Sequence, residues 1–443
     1  MRFRPFEELF HVPLRNGLTK PKKVRGAGFK MVNMGELFNY SRMRNIPMDR
    51  VPLNEKEYSN SMLEEGDLLF ARQSLVLSGA GQCSIFIDDE EEVCFESHLI
   101  RCRLNKTVAN PLYYYYFFTS QLGRQAIYAI TEQGAGAAGV RGSDLAKVMV
   151  PNIGIEIQNK VAKFLCEIDD KIELNTQTNQ TLEQMAQAIF KSWFVDFDPV
   201  KAKIEALAAG GSADDAELAA ISVISAKTLD ELNSLKASNP EAFNKLAQTA
   251  ALFPAAMQDS ELGEIPEGWE VKQLKDILEL AYGKALKKTD RVDGDVPVYG
   301  SGGLTGYHNQ SLVEGPGIIV GRKGTVGSVY WEPKAFYPID TVFYVKPRAG
   351  YSLKYCHLVL QNLGLKDMNT DAAVPGLNRD NAYRLDVITP TKGVMNLFKE
   401  IMQSLQSNVD ANNAQSASLE SLRDTLLPKL LSGEIDLTSE VTA

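Results

Sequence analysis

The pattern of apolar and polar side chains repeats every seven residues in two long stretches of the chain. The first repeat alternates spacings of four and three residues, at Val161, Leu165, Ile168, Ile172, Asn175, Asn179, Leu182, Ala186, Ile189 and Trp193. The second repeat does the same, at Ile401, Leu405, Asn408, Asn412, Gln415, Leu419, Leu422 and Leu426. This unbroken alternation is typical of a coiled-coil seam, so each stretch predicts a long helix with one packed face.

The middle of each seam is polar where a coiled coil usually has apolar residues. A buried Asn in a seam lowers the stability of the coil but fixes its register and the orientation of its partner. Because both stretches carry Asn at equivalent places, we predict that the helices pair antiparallel and that their polar centres meet. The predicted register residues are Asn175, Asn179, Asn408 and Asn412, with Gln415 nearby.

The two helices belong to a larger internal duplication. Residues 141–151 (RGSDLAKVMVP) precede the first helix and resemble residues 379–390 (RDNAYRLDVITP), which precede the second. Further back, EGDLLFARQS resembles GPGIIVGRKGT, and YYYYFFTSQLGR resembles LKYCHLVLQNLG. Two unrelated domains that each end in a helix would be the alternative. Matches that recur in the same order favour instead a mixed α/β domain and a long helix, present twice.

The repeated pattern predicts the fold class. Short β-branched and aromatic runs, separated by Gly and Pro, predict strands and turns in both domains. We therefore predict an α+β fold with two similar mixed α/β domains, separated by two long antiparallel coiled-coil helices and related by an internal pseudo-twofold repeat. The predicted boundaries are 1–150 for the first domain, 151–195 for the central helix, 196–262 for an Ala-rich helical connector, 263–390 for the second domain and 391–443 for the C-terminal helix.

Charge is distributed unevenly along the chain. The formal net charge of −9 would by itself disfavour binding to nucleic acid. Residues 1–50, however, contain 11 Lys and Arg against 4 Asp and Glu, whereas residues 151–262 contain 9 against 17. Acidic residues are thus concentrated in the helical segments, and the basic residues outside them are available for an anionic partner.

Composition and missing motifs exclude several classes of protein. The five cysteines form no CxxC pair and the four histidines are isolated, so neither a disulfide framework nor a zinc site is expected, and a reducing cytoplasm is the predicted location. No apolar run approaches the roughly 20 residues of a membrane span. The chain also lacks GxxxxGK[ST], GxSxG, HExxH and an Asn-Pro-Pro-aromatic motif. We therefore expect no catalytic residue, no metal and no cofactor in this chain.

Two segments resemble a known family. Residues 139–200 (GVRGSDLAKVMVPNIGIEIQNKVAKFLCEIDDKIELNTQTNQTLEQMAQAIFKSWFVDFDPV) are similar to the central conserved region of the specificity subunits of type I restriction–modification systems. Residues 259–274 (DSELGEIPEGWEVKQL) resemble the start of the second target-recognition domain of that family. The resemblance covers almost the whole chain, although the connector is longer and richer in Ala than the family suggests.

The resemblance implies a function. It implies that two target-recognition domains each read half of a bipartite sequence in double-stranded DNA, and that two helical regions separate them. It also implies two modification subunits, which dock on the helices, bind S-adenosylmethionine and methylate adenine. Restriction subunits, where present, would use ATP and Mg²⁺ for translocation and cleavage. The bases of the target are not carried over by the resemblance.

Three groups of residues are candidates for DNA contact. A basic run could contact phosphates or could form a solvated face, and it comprises Lys20, Lys22, Lys23, Arg25 and Lys30. Residues that follow a strand in equivalent positions of the two domains are Arg72, Gln73 and Ser74, and Arg322, Lys323 and Thr325. Arg and Gln can bind the edges of guanine and adenine through two hydrogen bonds. A Gly-rich loop adds Ser301, Tyr307, His308 and Asn309.

Aromatic residues are assigned to packing instead. The run from Tyr113 to Phe118 could stack on bases, but a buried helix face is the favoured interpretation, and Phe190, Trp193 and Phe194 are expected in a helix interface. Two classes of function remain open: a noncatalytic DNA-recognition subunit, or a stand-alone DNA-binding protein or single-chain modification enzyme. The missing cofactor loops disfavour the enzyme, and co-purification with an S-adenosylmethionine-binding chain would distinguish the classes.

Overall fold

The computed structural model describes residues 2–134, 136–368 and 376–435, so residues 436–443 of the predicted C-terminal region lie outside the described part. The chain divides into two units. The first comprises Met1–Gln177 and Asn412–Ala443, and the second comprises Thr178–Ala411. Each unit contains one mixed α/β domain together with part of each of two long helices.

The first unit contains short strands and helices before the first long helix. Its strands are β1 (Phe3–Pro5), β2 (Arg15–Asn16), β3 (Phe29–Val32), β4 (Arg42–Arg44), β5 (Asp49–Val51), β6 (Leu68–Ala71), β7 (Gln73–Ser74), β8 (Cys83–Asp88), β9 (Val93–Phe95), β10 (Leu99–Cys102), β11 (Glu132–Gln133), β12 (Ala138–Gly139) and β13 (Met149–Pro151). Its helices are α1 (Met34–Asn39), α2 (Glu55–Ser61), α3 (Pro111–Thr119), α4 (Gln121–Ala129), α5 (Gly142–Ala146) and the start of α6 (Ile155–Phe194).

A five-stranded sheet in the order β2-β10-β6-β8-β4 is the centre of the first domain. Smaller sheets have the orders β5-β3-β9 and β11-β12-β7, and β1 pairs antiparallel with β13. Strand β6 (LLFA) is buried along its whole length, as expected for a central strand covered on both faces. Helix α3 packs on this sheet: Asn110 caps it, Pro111 begins it, and its six aromatic residues from Tyr113 to Phe118 are all buried. The predicted buried helix face is therefore confirmed.

The second unit contains the remaining elements. Its strands are β14 (Met257–Ser260), β15 (Gly263–Pro266), β16 (Glu270–Gln273), β17 (Leu278–Tyr282), β18 (Val296–Gly300), β19 (Gly303–His308), β20 (Gly317–Gly321), β21 (Val329–Glu332), β22 (Tyr337–Pro338), β23 (Val342–Pro347) and β24 (Asp386–Thr389). Its helices are α7 (Asp198–Ala208), α8 (Ala213–Ser225), α9 (Leu229–Ser238), α10 (Pro240–Ala251), α11 (Leu274–Ile277), α12 (Leu353–Asn362), α13 (Arg379–Tyr383) and the first part of α14 (Lys392–Ser432).

The second domain repeats the plan of the first. A four-stranded sheet has the order β17-β23-β20-β21, and its buried strand β20 (GIIVG) corresponds to β6. Strand β16, at the start of the domain, pairs antiparallel with β24, at its end, as β1 pairs with β13. A short helix precedes each closing strand, α5 before β13 and α13 before β24. The predicted duplication of a mixed α/β domain is confirmed.

Helices α7 to α10 form the connector between α6 and the second domain. Helices α8, α9 and α10 share a small core of Ala220, Ile221, Leu232 and Ala250. The buried ammonium group of Lys203 joins α7 to its neighbours, since it binds Glu217 at 2.6 Å and the carbonyl oxygen of Phe253 at 2.8 Å. The connector is therefore a packed helical insertion in the second unit.

Within the first unit, α6 and α14 run antiparallel. Val161 and Leu165 of α6 share a hydrophobic core with Leu427, Leu430 and Leu431 of α14. About one and three turns beyond Leu165 on α6, Asp169 binds Arg423 at 2.8 Å and Asn175 binds Gln415 at 3.0 Å. Partner numbers fall as α6 advances, so the predicted antiparallel coil is confirmed. Within the second unit, the rings of Phe190 and Phe194 contact the ring of Phe398, so the expected packing role of these aromatic residues is also confirmed.

The predicted seam is correct for α6 and partly wrong for α14. All ten predicted positions of α6 are buried or half-buried. In α14, Leu405, Asn412, Leu419 and Leu426 are half-buried as predicted, but Asn408, Gln415 and Leu422 are exposed. Between these half-buried residues, the side chains that face inward are instead Val409, Ser416 and Arg423. The predicted and the observed seam share every seventh residue and differ only at the position between. At the last of these positions the choice is between Leu422 and Arg423, and the apolar character of Leu422 favoured the wrong residue.

Candidate nucleic-acid interface

Arg72 and Arg322 occupy the same backbone position in the two domains. Arg72 follows β6, its N–H donates to the carbonyl of His98 at 2.8 Å, and its own carbonyl accepts from the N–H of Val140 at 2.9 Å. Arg322 follows β20, donates to the carbonyl of Thr341 at 2.9 Å and accepts from the N–H of Leu377 at 2.8 Å.

The partners of the two arginines correspond as well. His98 and Thr341 each precede the neighbouring antiparallel strand, β10 or β23. Val140 and Leu377 each lie one residue before the N-cap of a short helix, α5 or α13. Each domain therefore presents an Arg and the residues that follow it in a loop fixed by the same hydrogen bonds.

The two arginine side chains differ in exposure. Arg72 is exposed, and a groove beside it is lined by Gln73, Glu132 and Arg141. Arg322 is half-buried: its guanidinium donates to the carbonyl of Asp340 at 3.0 Å and lies 5.0 Å from the centre of the Tyr282 ring. Part of the binding capacity of Arg322 is thus used inside the domain, whereas Arg72 can offer both edges of its fork to a ligand.

The loop after Arg322 is open to solvent and close to the Gly-rich loop. Lys323 and Thr325 are exposed. A Cβ atom at Gly321 would lie 2.1 Å from the carbonyl oxygen of Thr325, so only Gly permits this tight return. A Cβ atom at Gly324 would lie 3.3 Å from the hydroxyl of Ser301, which places the two predicted loops side by side.

Residues of the Gly-rich loop separate into accessible and structural groups. Tyr307 is 54% exposed and Asn309 is exposed. The carbonyl of Ser301 accepts hydrogen bonds from Ser328 and Tyr330, so Ser301 helps to hold the loop. His308 requires a correction: its ring is only 7% exposed, and its Nδ1 accepts from the N–H of Val292 at 3.1 Å. The pairing of β18 with β19 turns this side chain inward, where it supports the hairpin and is not available to a base.

The basic run near the N-terminus is largely paired within the first unit. Lys20 binds Glu57 and Arg25 binds Asp49, each at 2.9 Å. Lys30 binds the buried carboxylate of Asp89 at 2.8 Å, and this hydrogen bond raises the pKa of Lys30. Lys22 and Lys23 are exposed on a single 3-10 turn. Only part of this run therefore has the free ammonium groups that contact with phosphate requires.

Sequence reasoning missed two features next to Arg72. Residues Leu75, Val76 and Leu77 are exposed apolar side chains that follow β7, and Leu77 begins a single 3-10 turn. Arg141, read only as part of the repeated segment, lies in the groove beside Arg72 and binds Glu132 at 2.7 Å. The signal for Arg141 was present, because Arg379 begins the equivalent segment in the second copy.

The sequence matches a family model described as the type I restriction modification DNA specificity domain, over residues 1–184 and 266–420. The chain belongs to the type I restriction–modification specificity-subunit family. Each matched segment of this family contains one α/β domain with its arginine, Arg72 or Arg322. The residues between the two matched segments contain helices α7 to α10.

Individual relatives agree with this membership of the specificity-subunit family. The chain is 30% identical over 403 residues to the specificity subunit of the type I restriction enzyme HindI from Haemophilus influenzae, covering 84% of this chain and 87% of that protein. It is 24% identical over 363 residues to the MjaIX specificity subunit from Methanocaldococcus jannaschii, covering 73% and 68%. The S subunit of a type I system from M. genitalium is a structural neighbour with a TM-score of 0.49 and 18% identity, covering 99% and 96%.

The described residues also bear on metal binding and membrane insertion. Among the described residues, no cluster of three or more His, Cys, Asp or Glu side chains could hold a metal ion. Within the same residues, no helix has the length and apolar character needed to cross a membrane.

Proposed function

We propose that this chain is the noncatalytic DNA-recognition subunit of a type I restriction–modification complex. Each α/β domain reads one half of a bipartite target in double-stranded DNA. Two modification subunits dock on the long helices, bind S-adenosylmethionine and methylate adenine. Where restriction subunits join the complex, they contribute ATP- and Mg²⁺-dependent translocation and cleavage.

The matched backbone positions of Arg72 and Arg322 carry this proposal. The same two backbone hydrogen bonds, one donated and one accepted by the Arg, hold an Arg-containing loop in both domains, although the loop sequences differ. Two similar scaffolds with different loops are suited to reading two different short sequences. The rigid elements hold each loop in the same position, and the residues of the loop determine which bases are contacted. The two half-sites are therefore expected to differ in sequence.

Each unit also exposes an apolar side chain of a long helix, to which a partner subunit could dock. Met185 of α6 is 46% exposed and Leu422 of α14 is 45% exposed. Apolar side chains on the outer face of a packed helix add nothing to the coil itself, and a docked protein can bury them. The exposed position of Leu422, which the sequence had assigned to the seam, thus fits a docking role.

The direct test is methylation by defined mixtures of subunits. We predict that the purified chain alone transfers no methyl group from labelled S-adenosylmethionine to DNA. Co-expression with a partner modification subunit should yield a complex that methylates adenine in one bipartite sequence. Replacement of the second domain (263–390) by that of a related subunit should change one half of the methylated sequence and leave the other unchanged.

Three results would contradict the proposal. Catalytic turnover by the isolated chain would make it a modification enzyme. Tight sequence-specific binding without any co-purifying methyltransferase would make it a stand-alone DNA-binding protein. A domain exchange that left the methylated sequence unchanged would remove the α/β domains as the readers.

A further inference from the structure

The first unit carries an apolar tip, formed by Leu75, Val76 and Leu77, directly after Gln73 and Ser74. The three side chains are 90%, 60% and 43% exposed, respectively. Single exposed apolar residues are common on protein surfaces, but three consecutive exposed apolar residues on a loop indicate a ligand-binding or protein-binding surface.

The apolar tip is an addition to the first copy of the duplicated loop. In the first copy, the N–H of Gly81 donates to the carbonyl of Ala71 and closes a loop of residues 72–80; in the second, Gly327 donates to Gly321 and closes residues 322–326. The shorter loop has Lys323, Gly324 and Thr325 at its exposed end, and its single apolar residue, Val326, is buried. The additional residues of the first loop are thus the ones that expose apolar side chains.

Hydrogen bonds hold the base of the apolar tip in place. The hydroxyl of Ser74 accepts from the N–H of Val76 at 3.2 Å. On the other side, the guanidinium of Arg124 donates to the carbonyls of Ser78 at 2.8 Å and Gly81 at 2.9 Å. A Cβ atom at Gly79 would lie 2.2 Å from the Ser74 hydroxyl, so a side chain at this position would displace the Ser74 side chain. The exposed side chains are therefore presented by a fixed loop, which reduces the entropy lost when a ligand covers them.

The position of the tip favours DNA as its occupant. Arg72 and Gln73, immediately before the tip, are exposed side chains of the kind that bind base edges in the major groove. The principal apolar group that the major groove presents is the 5-methyl group of thymine. An apolar tip that extends from a base-reading Arg and Gln would reach this group on neighbouring base pairs.

We propose that the apolar tip recognises thymine 5-methyl groups in the half-site read by the first unit. The inference rests on the proposed function, because it assigns a ligand within the same DNA-reading surface. It makes the two loops chemically different: the first combines hydrogen-bonding side chains with three exposed apolar ones, whereas the shorter second loop, with Lys323 and Thr325 at its exposed end, exposes no Leu or Val.

The test uses the complex with its modification subunits and the target established by mapping its methylated adenines. Each thymine in either half-site is replaced singly by deoxyuridine, which removes only the 5-methyl group. For wild type, at least one replacement in one half-site should weaken binding about fourfold, the value expected for one buried methyl group. Leu75→Ala should weaken binding to thymine-containing DNA and abolish the response to that replacement.

Two controls separate the apolar tip from the rest of the surface. Leu122→Ala, at a 44% exposed leucine of α4 in the same unit, should behave as wild type in every DNA. The dependence of binding on salt should be unchanged by Leu75→Ala, because no phosphate contact is removed.

Several outcomes would overturn this inference while leaving the proposed function intact. These are a wild-type complex whose binding is unchanged by deoxyuridine at every thymine of both half-sites, a Leu75→Ala variant that still responds to deoxyuridine, or a Leu75→Ala variant that binds DNA normally but no longer retains the modification subunit. The last result would identify the tip as a protein-docking site. Absence of sequence-specific binding by the wild-type complex would instead refute the proposed function itself.

Discussion

At the scale of single residues, His357 links the stability of the second unit to pH. This histidine lies on α12, is 4% exposed, and packs its ring 5.5 Å from that of Trp331. Burial and, to a smaller extent, the neighbouring charge of Lys354 together lower its pKa to about 4, while Glu183 acts in the opposite direction. The unfolded chain binds a proton at this histidine below about pH 6.5, and the folded unit does so only near pH 4.

We therefore predict that acidification from pH 7 to pH 4 destabilises the second unit through His357. The unfolded state binds more protons than the folded state in this window, so stability is lost as the pH falls, by roughly 3 kcal/mol from this group. His357→Phe should flatten the dependence of the melting temperature on pH. His11→Gln, which replaces an exposed histidine, serves as the control. An unchanged pH profile in His357→Phe would refute the assignment.

The sequence predicted many residues of the candidate site, but it did not predict which of the charged side chains form ion pairs within the protein. The position of Arg72 after a buried strand was visible in the alternation of apolar runs and in the duplication, and the side chain is exposed. The pairing of Lys30 with Asp89 joins residues 59 positions apart, and the inward turn of His308 depends on the register of β18 and β19. Such distant pairings are set by tertiary structure, which local sequence does not specify.

At the scale of elements, Asn175 is a polar group built into a helix pair. It is 2% exposed, and its Nδ2 donates to the Gln415 side chain at 3.0 Å, the Ser416 hydroxyl at 3.2 Å and the Asn412 carbonyl at 3.3 Å. All four residues belong to the first unit. A sliding of the helices would take the amide away from these acceptors and would leave a buried donor unpaired, at a cost of about 1–3 kcal/mol.

We predict opposite effects for two substitutions at this position. Asn175→Ala should lower the free energy of unfolding of the first unit by about 1–2 kcal/mol, because the hydrogen bonds are lost and a space is left. Asn175→Leu should raise the melting temperature, because an apolar seam residue stabilises a coil more than Asn does. Lys171→Ala, at an exposed position of α6, should change stability by less than about 0.5 kcal/mol. Destabilisation by both substitutions at Asn175 would show that its hydrogen bonds outweigh apolar packing.

The two long helices also show what periodicity can and cannot predict. A seven-residue repeat identified both helices and their antiparallel partnership, because polar centres occur in equivalent places. It left the phase of α14 ambiguous, since Leu422 and Arg423 are neighbours and the apolar one appeared to be the seam residue. The structure places Arg423 inward because Asp169, which also accepts a hydrogen bond from Tyr116, holds its guanidinium. The interaction of a charged pair, rather than hydrophobicity, thus decides the phase.

At the scale of the whole molecule, duplication explains both the resemblance of the two α/β domains and their differences. The scaffold hydrogen bonds around Arg72 and Arg322 are equivalent, so both copies keep the geometry that presents a loop. The loop lengths, the apolar tip and the burial of Arg322 differ between the copies without altering these scaffold hydrogen bonds. Duplication was detectable from sequence for this reason: the segments that matched are the strands and helix starts, and those that did not match are the loops.

The duplicated plan predicts that each arginine acts on one half-site. A two-bond contact from Arg to guanine contributes about 1–3 kcal/mol to discrimination, so Arg72→Ala should weaken binding of the complex about 5- to 150-fold through one half-site only. Arg322→Ala should act through the other half-site. Comparison of each variant on DNA altered in the first or the second half-site measures this directly, and the losses of the double variant should add, because the residues belong to separate units.

The two arginine variants should differ in stability, which separates recognition from folding. Arg322 stacks on the Tyr282 and Phe343 rings and binds the Asp340 carbonyl, so Arg322→Ala should lower the melting temperature of the second unit. Arg72 is exposed, so Arg72→Ala should leave the melting temperature of the first unit unchanged. A loss of binding shared equally between both half-sites would contradict independent readers. A fall in melting temperature without any loss of discrimination would assign Arg322 to the scaffold, and Lys323 and Thr325 would then carry the reading of the second half-site.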